Sequence, residues 1–305
     1  MKKVSIVTVN FNQPEVTREL LLSIEKVNTY NNIEIIVVDN GSKTGPVTEL
    51  VTQFPAVKFL SSKINLGFAG GNNIGIHAAT GDYFFLVNND TEFTPGLVEK
   101  LVAILDQHPQ VGMVSPRINY FDDKTLIQYV GYTPMQFYTM RNGTVGQFSR
   151  NNEEYEQVTG PTAYAHGAAM MVKREATNKA GLMFENYFLY YEEMDWCERI
   201  KRAGYEIWMR GDALIYHKES ISVGKNSWLK EYFMNRNRIL FARRNAPAFA
   251  AFIFYIYFMV LVAPRNVLKY IKEGHKNFTS YLLKAIWWNI THKKDSADLG
   301  IKLQQ

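Results

Sequence analysis

Cysteine is almost missing from this chain. Cys197 is the single one in 305 residues, which excludes a disulfide scaffold and any cysteine-based zinc site, and fits a reducing compartment. Charge is modest at 21% beside 47% hydrophobic and 14% aromatic residues, which excludes a disordered or fibrous chain and leaves ample material for one large domain or two ordinary ones. A secretory leader is not visible, because Lys2 and Lys3 precede only a short apolar run at 4–9 that Asn10, Asn12 and Glu15 soon interrupt. The chain has no internal repeat and no low-complexity tract. It lacks a Gly-x-Gly-x-x-Gly after its first predicted strand, which weakens a dehydrogenase reading. It also lacks the early glycine-rich segment with a nearby Lys or Arg that a sugar nucleotidyltransferase needs.

What is present begins with an uneven charge. Residues 1–224 carry 20 Lys/Arg against 25 Asp/Glu, whereas residues 225–305 carry 14 against 4. The chain therefore divides into a mildly acidic body, 1–224, and a basic C-terminal segment, 225–305. Along the body, strands at 4–9, 33–38, 57–60 and 83–87 alternate with helices at 14–27, 46–54 and 70–79, which predicts a doubly wound, mostly parallel α/β sheet with ligands at the strand C-termini. Further on, a helix is expected at 96–107, strands at 111–115 and 168–172, and a helix at 192–203 ending before Gly204. Short strands follow at 206–209 and 213–216. Residues 117–160, polar and aromatic, read as hairpins or a mobile excursion.

The C-terminal segment contains nineteen consecutive uncharged residues, 246–264, flanked by Arg243 and Arg244 on one side and Arg265, Lys269 and Lys272 on the other. At about 1.5 Å per residue such a helix roughly matches a bilayer core. Basic residues on both flanks favour a helix lying in or re-entering one leaflet over a full span, with Trp287 and Trp288 at the interface and Lys284, Lys293 and Lys294 toward anionic head groups. A buried helix of a soluble protein is the competing reading. The apolar run beside the basic residues fits lipid better than nucleic acid, so no nucleic-acid partner is expected.

Polar clusters fall where the strands end. Thr8-Val-Asn-Phe-Asn12 follows the first strand and Asp39-Asn-Gly-Ser42 the second, where a carboxylate commonly binds a ribose or base edge, although Asp-Asn-Gly-Ser is also an ordinary turn. Asn65-Leu-Gly-Phe-Ala-Gly-Gly-Asn-Asn73 opens a helix, and its glycines suit either the approach of backbone amides to a diphosphate or tight helix–sheet packing. Asn88-Asn-Asp-Thr91 places a carboxylate to hold a divalent cation against phosphate oxygens, or to cap the next helix. In Tyr190-Tyr-Glu-Glu-Met-Asp-Trp-Cys-Glu-Arg199, Glu192, Asp195 and Arg199 share one helical face and Glu193 lies about 100° away. These acids are candidate general bases as well as ordinary partners of a helix N-terminus. Tyr216-His-Lys-Glu-Ser220 follows the last strand, and His217 reads equally as a metal ligand or a structural histidine.

Taken together, with Ser5–Asn12 and Gly167-Ala-Ala-Met170, these motifs over residues 3–245 resemble the family 2 glycosyltransferases of GT-A fold, especially bacterial rhamnosyltransferase-like members. The resemblance implies an inverting transfer from a nucleoside-diphosphate sugar to a glycan or lipid-linked acceptor, in cell-surface polysaccharide synthesis. It implies nucleotide-sugar contacts at Thr8, Asn10, Asp39, Asn65, Gly70, Asn72 and Asn89, and a magnesium or manganese site at Asp90 and His217. Asp90 matches the last acid of the family's DxD motif, while Asn88 stands where many members have Asp. Glu193 takes the position of the usual catalytic base, with Asp195 and Glu192 as rivals. The expected location is cytoplasmic, peripheral on the inner face of the cell membrane. A glycan-binding protein that keeps the fold without the activity is the non-enzymatic alternative.

Overall fold

The computed structural model describes residues 1–45, 47–218 and 227–303. The expected helix start at Pro46, the Glu219 and Ser220 end of the His217 cluster, and the boundary between 224 and 225 lie outside the described residues.

The first half of the chain follows its hydrophobic pattern. Strands β1 (Val4–Asn10) and β2 (Ile33–Asn40) alternate with helices α1 (Pro14–Val27) and α2 (Thr48–Gln53), followed by β3 (Lys58–Ser62), α3 (Gly67–Ala78) and β4 (Tyr83–Val87). β1 lies between β2 and β4 and β2 beside β3, all parallel. β4 is buried at every position, as a continuous apolar strand covered on both faces should be.

Beyond β4 the topology changes. The chain adds β5 (Thr91–Phe93), α4 (Leu97–Gln107), β6 (Val111–Tyr120), β7 (Ile127–Tyr129), α5 (Glu153–Gln157), β8 (Thr159–Pro161), β9 (Ala169–Lys173), α6 (Arg174–Ala180), α7 (Glu192–Arg202) and β10 (Glu206–His217). The sheet order is β3-β2-β1-β4-β9-β6-β10-β5, with β7 beside β6 and β8 beside β10. β9 runs antiparallel to both β4 and β6. The sheet is therefore mixed rather than mostly parallel, because β9 enters from the long 111–168 excursion instead of a helical crossover. The two short strands expected at 206–209 and 213–216 are one strand, β10, whose register against β6 slips between Arg210 and Leu214. Its partner there is Pro116, which has no N–H to give the ladder, so a bulge at that point costs no backbone bond.

The C-terminal segment forms α8 (Trp228–Asn245), α9 (Ala248–Tyr257), a π-helical turn at Phe258–Val262, α10 (Ala263–Lys272) and α11 (Asn277–Thr291). It is not an appendage. Leu240, Phe241, Phe254 and Phe258 belong to the same apolar cluster as Tyr187 and Trp196 of the body, and burying each such side chain contributes roughly 1.5–3 kcal/mol. α8 is buried on several sides, which is why its sequence shows little amphipathic bias. α9, the π turn and α10 run on as one helix of 25 residues, long and apolar enough to cross a membrane by length and composition.

Candidate active site

Parallel neighbours that end together put their terminal side chains side by side. Asn10 closes β1 opposite Asp39 on β2, and Asn10 Nδ2 donates to Asp39 Oδ1 at 3.1 Å. The Ser42 hydroxyl donates to the same oxygen, while Asp39 Oδ2 has no partner among the described residues. Thr17 on α1 extends the network: its hydroxyl donates to Asn10 Oδ1 at 3.0 Å and accepts from Asn89 Nδ2 at 3.1 Å. Asn10, Asp39 and Asn89 thus form one connected group from three strand ends. Thr17 was not expected, since nothing in its local sequence reveals a partner 72 residues away.

Glycines of the 65–75 segment let helix and sheet pack closely. An added Cβ at Gly71 would lie 2.8 Å from Val9 Cγ1, and one at Gly75 2.2 Å from Val7 Cγ1, so these glycines let α3 approach β1. Gly67, at φ +72°, makes room for the Phe188 carbonyl, which accepts from Phe68 N at 2.8 Å. At Gly70, expected as a nucleotide-sugar contact, an added Cβ would lie 2.6 Å from Leu66 Cβ. Asn65 Oδ1 accepts from Gly67 N at 2.8 Å and from Asn40 Nδ2 at 3.1 Å, and Asn72 Nδ2 donates to Phe68 O within its own helix. Thr8 is fully buried inside β1. Thr8, Gly70 and Asn72 therefore stand apart from the Asn10–Asp39–Asn89 group.

β5 pairs antiparallel with the end of β10, setting Thr91 opposite His217 and so bringing Asp90 to it. Asp90 Oδ1 lies 3.2 Å from His217 Nε2, yet this buried oxygen has no aligned hydrogen bond. His217 Nδ1 meets Gln128 Oε1 at 2.8 Å. An amide oxygen only accepts, so Nδ1 carries a proton, and in the neutral imidazole Nε2 presents a lone pair to Asp90. Two acceptors facing each other in a buried site need a cation or a proton between them. The donor set suits a hard divalent ion that completes its shell with water and substrate phosphate. No group of three or more His, Cys, Asp or Glu suited to a metal occurs among the described residues, so among them this pair stands without a third such ligand.

The partly buried His166 lies beside this pair, its ring 6.1 Å from that of His217. Burial, and then the neighbouring His217, hold its pKa down to about 3, so it is neutral at physiological pH. The next residue, Gly167, is where the acidic helix arrives: Glu193 Cγ lies 3.7 Å from the position of a Gly167 Cβ, with Phe68 Cζ on the other side at 3.9 Å. Along the chain, His166 thus neighbours His217 of the Asp90–His217 pair, and Gly167, the next residue, neighbours Glu193. Sequence reading overlooked Gln128 and His166; the histidine stands next to the Gly167 motif, which was the available signal.

The three acids of α7 have different surroundings. Asp195 is fully buried and accepts from Arg199 Nε at 2.9 Å, Arg244 Nε at 2.9 Å, Asn245 Nδ2 at 2.9 Å and Tyr187 Oη at 3.2 Å. Burial pushes its pKa up, but these bonds and the two guanidinium charges outweigh it and hold the carboxyl below its ordinary range. With its oxygens committed, Asp195 has no room to take a proton from an acceptor. Glu192 is buried with Oε2 unpartnered; burial and then the Glu193 charge raise its pKa well above the ordinary value. Glu193 keeps partial exposure, and burial raises its pKa against the pull of backbone N–H groups at the head of α7. It alone combines access with an enhanced proton affinity.

The turn before α7 is strained. Phe188, Tyr190 and Tyr191 all have positive φ, at 63°, 71° and 76°, each at a cost on the order of 1–3 kcal/mol. Asn237 of α8 holds it, donating to Tyr187 O, Leu189 O and Tyr190 O at 2.7–2.9 Å.

A pH test follows from Glu192. Below its ordinary pKa of 4.5 the residue is protonated in both states; as pH rises further, the unfolded chain loses the proton first and native stability falls. Glu192→Gln is expected to raise the melting temperature at pH 8, with the gain shrinking toward pH 4. Melting curves that coincide with wild type at every pH would show that Glu192 is not held protonated.

With this geometry in place, comparison with known proteins is informative. Residues 5–181, more than half of the chain, match the profile described as Glycosyl transferase family 2. The N-acetylglucosaminyl-diphospho-decaprenol L-rhamnosyltransferase of Mycobacterium tuberculosis is 24% identical over 217 residues, covering 65% of this chain and 70% of that protein. Staphylococcal (S. aureus) TarS 1–349 in complex with UDP-GlcNAc has a similar structure, with a TM-score of 0.62 at 12% identity over 94% of this chain and 81% of that one. The mannosyltransferase PcManGT from Pyrobaculum calidifontis, in complex with GDP-Man and Mn2+, gives 0.58 at 15% identity over 95% and 87%. A mixed sheet flanked by helices, as in these GT-A-like neighbours, and the family match together lead to one conclusion: the chain belongs to glycosyl transferase family 2 and is a glycosyltransferase that moves a sugar from a nucleotide sugar.

Proposed function

We propose an inverting transfer in which Glu193 is the base and a lipid-linked glycan is the acceptor. The carrying observation is that His217 neighbours His166 while Glu193 neighbours Gly167, the next residue. The Asn10–Asp39–Asn89 group receives the nucleoside, with the free Asp39 Oδ2 as acceptor for a ribose or base donor. Asp90 and His217 would hold a magnesium or manganese ion, whose chemistry is to neutralise charge gathering on a departing diphosphate. The acceptor hydroxyl approaches from the side of Glu193 and gives its proton to that carboxylate as its oxygen bonds to the anomeric carbon and the sugar–phosphate bond breaks. One accessible base and one displacement invert the centre. With Asp195 committed to two arginines, α7 offers no second carboxylate at hand for a double displacement.

Glu193→Gln is expected to lower kcat about 10²–10⁴-fold while nucleoside diphosphate still raises the melting temperature. In wild type, protonation of Glu193 should cut activity on the acid side, with the limb above the ordinary 4.5 because the pKa is raised. Turnover of Glu193→Gln within threefold of wild type would remove Glu193 as base.

Lipid enters the proposal through the C-terminal helices. Along α9, the π turn and α10, Phe249 (69%), Phe252, Ile256, Val260 (64%) and Leu268 (68%) are exposed. On α11, Leu283, Trp287 and Ile290 are exposed at helical spacing. Unpartnered apolar stripes of this kind rimmed by Lys269, Lys272 and Lys284 fit a helix lying in the surface of an anionic bilayer, here the cytoplasmic face of the cell membrane. The relative's name specifies a decaprenol-linked substrate, in keeping with this acceptor class. Replacing Phe252, Val260 and Leu268 by Ser should abolish flotation with phosphatidylglycerol vesicles without loss of folding; undiminished flotation would refute docking by this face.

A further inference from the structure

Three arginines from three elements gather on the helical side of the Glu193 turn. Arg141 stands at the end of a tight turn whose Gln136 and Arg141 form an isolated bridge; Arg238 is on α8 and Arg265 on α10. The turn docks on the helices. Arg238 Nη2 donates to Thr139 O at 2.5 Å, and the Arg141 guanidinium lies 6.0 Å from the ring centre of Tyr257. The Arg238 guanidinium lies 5.8 Å and 6.0 Å from the rings of Phe254 and Phe258. Arg238 Nε is buried without a hydrogen-bond partner, while Arg141 and Arg265 are exposed. Among the described residues none of the three forms an ion pair.

Arg238 is within reach of both other guanidinium charges. Burial lowers the pKa of Arg238, and the Arg141 and Arg265 charges lower it further against the opposing effect of Tyr191 and Tyr257. The ring of Tyr191, two residues before Glu193, lies 5.7 Å from that of Phe241, three residues beyond Arg238 on α8, so Arg238 is on the stretch of α8 that packs against the Glu193 turn. Like charges held together without a carboxylate, one of them with a buried unsatisfied N–H, are costly unless an anion completes them. A guanidinium fork matches phosphate oxygens in geometry and charge. The donor diphosphate belongs at the strand ends with Asp90 and His217, so these arginines answer to a different anion. Met259, Val260 and Leu261, exposed in the π turn just before Arg265, offer an apolar path leading from the cluster.

We propose that Arg141, Arg238 and Arg265 form a subsite for the phosphate or diphosphate that joins an acceptor sugar to its lipid chain. The subsite rests on the reading of Glu193 as base, because its use is to bring the acceptor hydroxyl to that carboxylate. The phosphate is bound by the arginines, the chain follows the exposed apolar stripe, and the sugar points toward the His166–Gly167 strip.

The test uses the full chain with farnesyl diphosphate as probe, farnesol as the uncharged control and phosphatidylglycerol vesicles as the head-group control. Wild type should bind farnesyl diphosphate and not farnesol. Arg141→Gln and Arg265→Gln, both at exposed positions and checked for an unchanged melting temperature, should each weaken that binding about tenfold, and Arg141→Lys should weaken it less. Binding as tight as wild type in both Gln variants would overturn the subsite. An equal loss of flotation with vesicles that carry no farnesyl diphosphate would overturn it too, by assigning the arginines to bilayer head groups. Metal-dependent hydrolysis of nucleotide sugars by Glu193→Gln at the wild-type rate would instead sink the underlying reading of the base, whatever the farnesyl diphosphate result.

Discussion

A buried carboxylate holds the two parts of this molecule together. Asp195 accepts from Arg199 of its own helix and from Arg244 and Asn245 at the end of α8, with Tyr187 as fourth donor. Such a pair is expensive to desolvate, and breaking it by removing one partner typically costs about 3–5 kcal/mol. Its value here is positional. It fixes the acidic helix against α8, while Asn237 of that same α8 holds the strained Tyr187–Tyr191 turn. The segment that bears Glu193 is thereby set by residues some fifty positions downstream. Without α8, three left-handed non-glycine residues would have no reason to stay in place.

This arrangement changes the meaning of the basic C-terminal segment. Several of its arginines point inward: Arg236 is fully buried, Arg243 donates to His292 O and Arg244 pairs with Asp195. The charge asymmetry is therefore partly structural, a basic segment answering an acidic body, and the exposed Arg265, Lys269, Lys272, Lys276, Lys284, Lys293 and Lys294 are left for anionic partners. The apolar character of the same region divides likewise. Phe254 and Phe258 complete a core shared with the body, whereas Phe252 and Val260 face outward.

Local pattern made the β1–β4 half of the sheet legible, since buried parallel strands read as apolar runs and their ends carry the polar clusters. Asp39, Asn10 and Asn89 could be picked out because chemistry at strand ends is visible in sequence. The glycine loop stayed ambiguous for an equally physical reason: glycine admits both close backbone approach and close helix packing, and Val7 and Val9, against which Gly75 and Gly71 pack, lie more than sixty residues away. β9 is apolar whichever way it runs, so its antiparallel insertion left no trace. Partners such as Gln128 for His217 or Asn237 for the turn depend on register and helix docking, which no single segment encodes. Spacing placed Asp195 and Glu192 on one helical face; only the packing shows that the first is committed to arginines and the second buried.

The central claim is that the Asp90–His217 pair and Glu193 serve one reaction centre along the His166–Gly167 strip. A crystal soaked with manganese and a nucleoside diphosphate measures this directly through the anomalous signal of the metal. The account predicts a single manganese peak on Asp90 Oδ1 and His217 Nε2, with the diphosphate ending over the His166–Gly167 strip and facing Glu193. A manganese peak away from Asp90, or a diphosphate whose free end points away from Glu193, would contradict it.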